Sequence, residues 1–453
     1  MDRFINVPAS QKTDIGTTTD RGITEPIDGN DQSLYNPSNV VIDFLEINHP
    51  AGRLDLQGSY HSIVITESVF EKALTCKVVV LDATEKLAEL DLDGSEELKI
   101  GFHSEKNKEI VNSYKVYRVE TTNDDASGSK GKAYQLFGIS EEFVKQSTMD
   151  INKAFTGTLS KFVEIIYDFI GSKKQIDIHR TTGRVTTIIP GMTPFESIEM
   201  IQRRSYNARF SSSIFLFYED TRGFNFVNME QLIAEGRNRA IEYSYNPGVQ
   251  LDDMKTLQAQ RTISEINFPR GRNLIDKIKS GAYASQVAEI DVINQRIDRT
   301  ILTVKENFND FYHLDKPAIT LDKTDIINDS LNVINSTTWI NKYVDGVRHR
   351  ENNFGPALTR RKFYADSLGQ IQMNAVVPGN SDLNVGMVMD LDMIESSANK
   401  ENPDQEKKIS GKYLITEVNH QIIKDKYNCT VACNKESYRA NVDDISRYVV
   451  GKR

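Results

Sequence analysis

The sequence of 453 residues contains no apolar run long enough to cross a membrane as a helix, which takes about 18 residues. Its N-terminus lacks the apolar core of a signal peptide. Only three cysteines occur, Cys76, Cys429 and Cys433, and the last two lie on one face of a predicted strand, too far apart to bond. We therefore expect no membrane span, no disulfide framework, and three buried thiols in a reducing compartment.

Catalytic motifs are absent as well. The seven histidines are scattered, with no two at metal-binding spacing, and there is no phosphate-binding glycine loop and no Gly-x-Ser-x-Gly elbow. An acid–base pair among the 64 Asp and Glu residues stays open, although most of them are expected on the solvated surface. The sequence predicts no enzyme activity, no metal and no cofactor.

Positive charge is sparse, and the formal net charge is -9. Binding of nucleic acid through counterion release needs clustered Lys and Arg. The local basic features are the run Arg348-His-Arg-Glu351 and the pair Arg360-Arg361, which solubility explains well enough. A chain this acidic could still line a channel through which DNA slides without sticking.

What the sequence does contain is a weak repeat of itself. The stretch 72–82 is echoed by 281–291, Tyr114–Val119 is echoed by Tyr413–Val418, and the runs before the second pair, 97–102 and 387–392, are both strand-like. The order of elements is the same in both halves, which predicts two copies of one β-domain. Chance similarity between alternating strands is the alternative.

Alternating strands dominate residues 39–144, with turn signals between them, as in a small antiparallel barrel or sandwich. Helical spacing follows, with a helix predicted after Thr158 that stops at Gly171. A second helix is predicted from Thr193-Pro-Phe-Glu196, which has the pattern of a capping box with proline at the first position. Residues 213–227 predict a hairpin.

The polar composition of residues 1–37 predicts disorder for this segment when it is free in solution. From about 236 to 364 the pattern is weak, although strands are predicted at 261–268 and 286–296. Beyond that stretch the alternation typical of strands returns in four runs: 370–376, 385–394, 412–423 and 426–433.

This order of elements resembles the central hub protein of contractile phage tail baseplates, of the T4 type. The resemblance covers about 40–438 and is carried by the stretches 65–82, 193–198, 214–227 with 229–233, and, most closely, 361–375 with 383–390 and 413–421. It rests on order and pattern more than on invariant motifs. The polar N-terminus, the loop 396–408 and the stretch 302–353 have no clear counterpart.

The resemblance implies an α+β, mainly β fold, with two tail-tube-like antiparallel β-barrels, an inserted helical domain and a further α/β insertion. The domains expected on this basis are an extended N-terminal arm (1–37), a first tube-like barrel (38–147), a helical domain with the hairpin (148–260), a discontinuous second barrel (261–300 with 365–440), an insertion (301–364) and a C-terminal tail (441–453).

The resemblance also implies a structural role in the virion, in the tail baseplate, after assembly in the host cytoplasm. Hubs of this family are homotrimers whose six barrels form a pseudo-six-fold ring, which joins the six-fold tail tube to the three-fold central spike and lets DNA pass. The expected partners are the spike protein, the tail tube or tube-initiator protein, and baseplate wedge proteins. Edge strands left open in each barrel could pair with the next barrel.

A lumen with negative or neutral walls would keep DNA phosphates from sticking. We expect Glu96, Asp390 and Asp392 to face this lumen. For Asp390 and Asp392 the alternative is an ordinary solvent-facing position on a half-buried sheet. Two other functions stay open: a component of a related injection system or siphophage tail tip, and a tail-associated cell-wall hydrolase. Because the sequence ends without a β-helix repeat, the spike is expected to be a separate protein.

Overall fold

The computed structural model describes most of residues 38–439. The longest stretches within that range that it does not describe are 124–131, 247–258, 276–282, 316–331, 350–359 and 394–408. The predicted arm (1–37) and tail (441–453), the loop 396–408 and much of the predicted insertion lie outside the described residues. No described helix is long and apolar enough to cross a membrane.

The N-terminal third is built from strands that alternate buried and exposed side chains. In β4, for example, Cys76, Val78 and Val80 point into the core while the residues between them are partly exposed. Among the described residues of this third, one short helix, α1 (Lys86–Glu89), interrupts the strands. The strands are β1 (Val41–His49), β2 (Gly52–Asp55), β3 (Tyr60–Ser68), β4 (Thr75–Asp82), β5 (Glu97–His103), β6 (Ile110–Asn123) and β7 (Lys132–Ser140).

The middle third mixes helices and short strands around a separate aromatic core that includes Phe162, Phe195, Phe217 and Phe224. Two small sheets form here, one from β8 and β10 and one from β9, β11 and β12. The elements are α2 (Glu141–Gln146), β8 (Ile151–Gly157), α3 (Leu159–Ile170), β9 (Gln175–Ile178), β10 (Val185–Met192), α4 (Pro194–Arg204), β11 (Phe215–Asp220), β12 (Gly223–Asn228) and α5 (Met229–Gly236).

Both helix starts predicted from the sequence occur in the structure. At α4, Thr193 and Glu196 form the reciprocal capping box, with Pro194 in the first turn. At α3, Thr158 is the cap residue but its side chain makes no capping hydrogen bond. Gly171 ends α3 in the left-handed region (φ 66°), which glycine adopts without the penalty that a Cβ would bring.

The C-terminal half returns to strands. Its elements are β13 (Ile241–Tyr245), β14 (Glu265–Asn267), β15 (Ala284–Asp291), β16 (Arg296–Thr303), α6 (Val304–Asn307) followed by a 3-10 turn (Phe308–Asp310), β17 (Asn332–Thr337), β18 (Lys342–Val344), β19 (Val347–His349), β20 (Ile371–Pro378), β21 (Val388–Met393), β22 (Gly411–Ile423) and β23 (Lys426–Lys435).

One large sheet of 13 strands joins the two ends of the chain. Its path runs β14-β20-β23-β22-β3-β4-β7-β6-β5-β1-β2, and β21 with β13 branches from β22. A single hydrophobic core extends from residues of the N-terminal strands, such as Ile63 and Val78, to residues of the C-terminal strands, such as Val418 and Val431. The described fold is therefore mainly β, and its longest helices, α3 and α4, lie in the middle third.

The predicted composition of the second β-domain differs from what the structure shows. Of the range 261–300, β14 belongs to the large sheet, whereas β15 and β16 form a separate three-stranded sheet with β17. The echo between 72–82 and 281–291 therefore does not mark equivalent strands. Alternation alone made them look alike, because any half-buried strand repeats with a period of two residues.

Candidate functional site

Six strands of the N-terminal third and six strands of the C-terminal half follow the same connectivity. In the first strand unit (β1 and β3–β7) the hydrogen-bonded order is β3-β4-β7-β6-β5-β1, and in the second strand unit (β13, β14 and β20–β23) it is β14-β20-β23-β22-β21-β13. Each strand has a counterpart at the same place in both chain order and sheet order. The outermost pair differs in direction, because β1 is antiparallel to β5 whereas β13 is parallel to β21.

The equivalence extends to single residues in the long hairpins β6–β7 and β22–β23. The register of the first hairpin shifts between Val116 and Arg118, and that of the second between Ile415 and Glu417. When Tyr114 is aligned with Tyr413, as the sequence echo suggests, the two irregularities fall at the same position. A bulge at one defined residue is a specific feature of a strand pair. The sequence echo between 114–119 and 413–418 thus marks equivalent segments.

At this bulge β22 changes its partner. Before it, Gly411–Leu414 pairs with β21, and after it, Glu417–Ile423 pairs with Ser62–Ser68 of β3. We call this β22–β3 pairing the internal seam. It is antiparallel, it covers seven residue pairs, and it joins the two strand units into one sheet.

A buried polar cluster fixes the register of the internal seam. Glu67 of β3 and His420 of β22 are both completely buried, and His420 Nε2 lies 3.4 Å from Glu67 Oε1. The backbone N–H groups of Thr221 and Val385 also donate to the Glu67 carboxylate, at 3.0 and 3.2 Å. The cluster therefore connects β3 and β22 to the β11–β12 turn and to the loop before β21.

The electrostatics of the cluster favour a charged His420. Its Nδ1 lies 2.7 Å from the Tyr427 hydroxyl and 3.5 Å from Cys429 Sγ. Burial alone would lower the pKa of His420, but attraction and hydrogen bonding to Cys429 and to Glu67 outweigh it and raise the pKa to about 10. With no exposed surface, these groups have no route to a substrate, so their arrangement is structural.

A second buried charge cluster attaches the middle third to the first strand unit. Glu219 accepts a hydrogen bond from the Leu74 N–H at 2.9 Å and pairs with Lys174 at 2.5 Å, and Lys174 also pairs with Glu142 at 2.9 Å. Burial raises the pKa of Glu219 to about 7. For Lys174, burial works against the charge, but Glu219 and Glu142 raise its pKa overall.

The strand units also present edges that no described strand covers. In β6, residues 110–115 pair with β5, but the segment after the bulge, Arg118–Asn123, pairs only with β7. Its counterpart in β22 is the segment that forms the internal seam. At the other end of the large sheet, β14 pairs with β20 on one side only. Its counterpart is β3, the other partner in the internal seam.

The three residues predicted to face a lumen lie in different environments. Glu96 has no exposed surface, and its carboxylate accepts a hydrogen bond from the Gly94 N–H at 2.9 Å. Asp390 is partly exposed and lies 3.2 Å from Lys412 Nζ and 3.6 Å from an Arg439 nitrogen. Asp392 is exposed, two residues further along β21. The structure thus places Asp390 and Asp392 on one strand and Glu96 in the interior of the other unit.

The hydrolase alternative needs a cleft with paired carboxylates. A cavity of about 380 Å³ lies between the middle third and the second strand unit, beside the exposed Phe70. Its charged lining residues are Arg203 and Arg361, and no Asp, Glu, His or Cys lines it. Within the described part of the chain, no group of three or more His, Cys, Asp or Glu side chains could hold a metal ion. This cavity therefore offers no acid–base pair.

Comparison with solved structures shows a shared fold. The chain is similar to the 43 kDa tail protein of prophage MuSo2 from Shewanella oneidensis, with 10% identity and a TM-score of 0.52 over 87% of this chain and 98% of that one. It is also similar to a tail protein from Neisseria meningitidis MC58, with 8% identity and a TM-score of 0.51 over 87% and 96%. The chain has the fold of these tail proteins. No family model and no curated protein sequence matches it.

The sequence did not reveal the Glu67–His420 pair. Both residues lie in stretches that predict strands, but 352 residues separate them and no local sequence pattern links them. The available signal was that each is an ionisable residue within a predicted strand. If such a residue is buried, it needs a charged or hydrogen-bonding partner, because an unpaired buried charge is costly.

Proposed function

We propose that this protein is the structural hub of a phage tail baseplate, in which three chains form a ring of six strand units. The observation that carries the proposal is the duplication itself: two units with the same strand order and the same bulge, joined edge to edge in one chain. A ring with six similar positions can be built from three such chains, because each chain supplies two similar subunits at quasi-equivalent places.

In this proposal each strand unit closes as a tail-tube-like barrel. One face of the ring meets the six-fold tail tube or its initiator protein, and the other meets a three-fold spike. The middle third, which is attached through Glu219 and Lys174, then lies on the outside, where wedge proteins would bind. The shared fold with two tail proteins, one of them from a prophage, supports a place in the tail of a virion.

The lumen of the ring would let DNA pass without specific binding. Asp392, which is exposed, and Asp390 on the same strand are the candidates for its wall. Glu96 is left out of this proposal, because a carboxylate with no exposed surface does not border a channel. Neutralising the exposed group with Asp392→Asn is expected to leave assembly unchanged and to alter the rate of DNA release from virions. Loss of assembly would instead mean that Asp392 is structural.

The solution mass of the purified chain tests the proposal. It should be three times the mass of one chain, either for the protein alone or after mixing with the candidate spike protein. A stable monomer in both samples would contradict the hub function, and an assay for cell-wall hydrolysis would then be the next experiment.

A further inference from the structure

We propose that the open segment of β6 in one chain pairs with the open edge of β14 in the next chain, in the register of the internal seam. This inference rests on the proposed ring and names the surface and the register that join its chains. The occupant of each open edge is thus a second copy of this chain.

The internal seam supplies the template. It shows that the strand after the bulge of one unit and the first strand of the other unit fit together as an antiparallel pair. Each chain contains one further copy of each of these two edges, and both are open among the described residues. Because the two copies lie on different units, the contact between chains is head to tail, and such contacts build rings when the rotation closes.

The register follows from the equivalent strand pairs. Thr121 is the counterpart of His420 when the two long hairpins are aligned on their bulges. The registers of β3 with β4 and of β14 with β20, carried inward to β7 and β23, show which residues of the two outer strands are equivalent. By these registers Phe268, just after β14, is the counterpart of Ile65 in β3. Because His420 lies opposite Ile65 in the internal seam, Thr121 should lie opposite Phe268 of the next chain. Thr122 then lies opposite Asn267.

The backbone of β14 is suited to this pairing. In the internal seam, the Lys424 N–H donates to His61 O and the Val69 N–H donates to Thr416 O, so the odd-numbered residues of β3 direct their backbone groups to β22. Their counterparts at β14 are Ile266 and Phe268. Pro269 belongs to the alternate residues, whose backbone groups are directed away from the open edge. Its missing N–H therefore removes no donor from that edge.

The exposure of the side chains is also consistent with an interface at these two edges. His420 and Ile65 are completely buried in the internal seam. Thr121 is exposed and Phe268 is partly buried in the single chain, and pairing would cover both. An open edge without a partner invites uncontrolled pairing with other chains, and capture by the next chain of a closed ring removes that hazard.

Engineered disulfides test the register. Thr122 and Asn267 form a pair of the kind without direct backbone hydrogen bonds between them, in which side chains approach most closely. The double variant Thr122→Cys, Asn267→Cys is oxidised and examined by non-reducing gel electrophoresis. The native Cys76, Cys429 and Cys433 are buried and are not expected to compete. The matched control is Glu120→Cys, Asn267→Cys, which moves one thiol by two residues on the same face, beyond disulfide reach.

We expect the first variant to form covalent dimers and closed trimers, and the control and both single variants to stay uncrosslinked. Equal crosslinking of the control would show that the register is wrong. A trimer by solution mass without the crosslink would overturn this inference and leave the proposed ring intact. A monomer in both measurements would overturn both.

Discussion

His420 of β22 and Glu67 of β3 form a completely buried pair, 3.4 Å apart, at the internal seam between the two strand units. Replacement of Glu67 by Gln should be costly, because the carboxylate serves the imidazolium and two backbone N–H groups at once. Removing one partner of a buried pair costs about 3–5 kcal/mol of unfolding free energy. Urea denaturation of the variant and the unchanged protein measures this loss of unfolding free energy. The control is Glu71→Gln at an exposed site, with an expected change within about 0.5 kcal/mol; equal effects of the two would contradict the assigned role of the pair.

The raised pKa of His420 predicts a pH dependence of stability. Because the folded state holds this proton more tightly than the unfolded state, the stabilisation is complete below the unfolded pKa of about 6.5 and is lost as the pH rises towards about 10. His420→Gln should remove this part of the slope, whereas the slopes from other groups stay. Unfolding free energies of both proteins between pH 6 and 10 provide the comparison, and parallel curves would show that His420 does not titrate with the raised pKa.

The two helix caps provide a matched pair of threonines. Thr193→Ala breaks the capping box of α4 and should cost about 1 kcal/mol of unfolding free energy. Thr158→Ala at the start of α3 should cost clearly less, since that side chain makes no capping hydrogen bond. Thermal unfolding of the two variants distinguishes them, and an equal loss of stability would mean that the capping box contributes nothing of its own.

Thr121→Lys tests the proposed contact between chains without touching the core. A charged side chain opposite Phe268 would have to be desolvated on assembly, so the dissociation constant of the assembly should rise at least about tenfold. The melting temperature of the dissociated chain should not change, because Thr121 is exposed there. Thr156→Lys, at an exposed position of β8, is the control. Sedimentation over a range of concentrations gives the dissociation constants of the two variants. Equal values would show that β6 is not part of the interface.

How far the sequence predicts this structure depends on the range of each signal. The α4 capping box and the β11–β12 hairpin were predicted because their signals span only a few neighbouring residues. The echo between Tyr114 and Tyr413 was also informative, because both tyrosines are buried and both begin a segment with the same bulge.

Long-range strand pairing and burial could not be predicted from the sequence, for physical reasons. The place of β15 in a separate sheet is set by β16 and β17, and strand alternation carries no information about partners. Glu96 was predicted in a lumen because negative walls would keep DNA phosphates from sticking. In the structure its carboxylate is buried and accepts a backbone hydrogen bond inside the first strand unit. The Glu67–His420 pair depends on the internal seam, which forms only once the two ends of the chain meet.

In the proposed assembly, three chains close into a ring of six similar strand units. Electron microscopy of the purified assembly, viewed down its axis and averaged without imposed symmetry, tests it most directly. We expect a closed ring with a central opening, six inner densities of similar size and three-fold symmetry in the outer parts. A two-fold dimer, an open filament or a ring with another number of inner densities would contradict it.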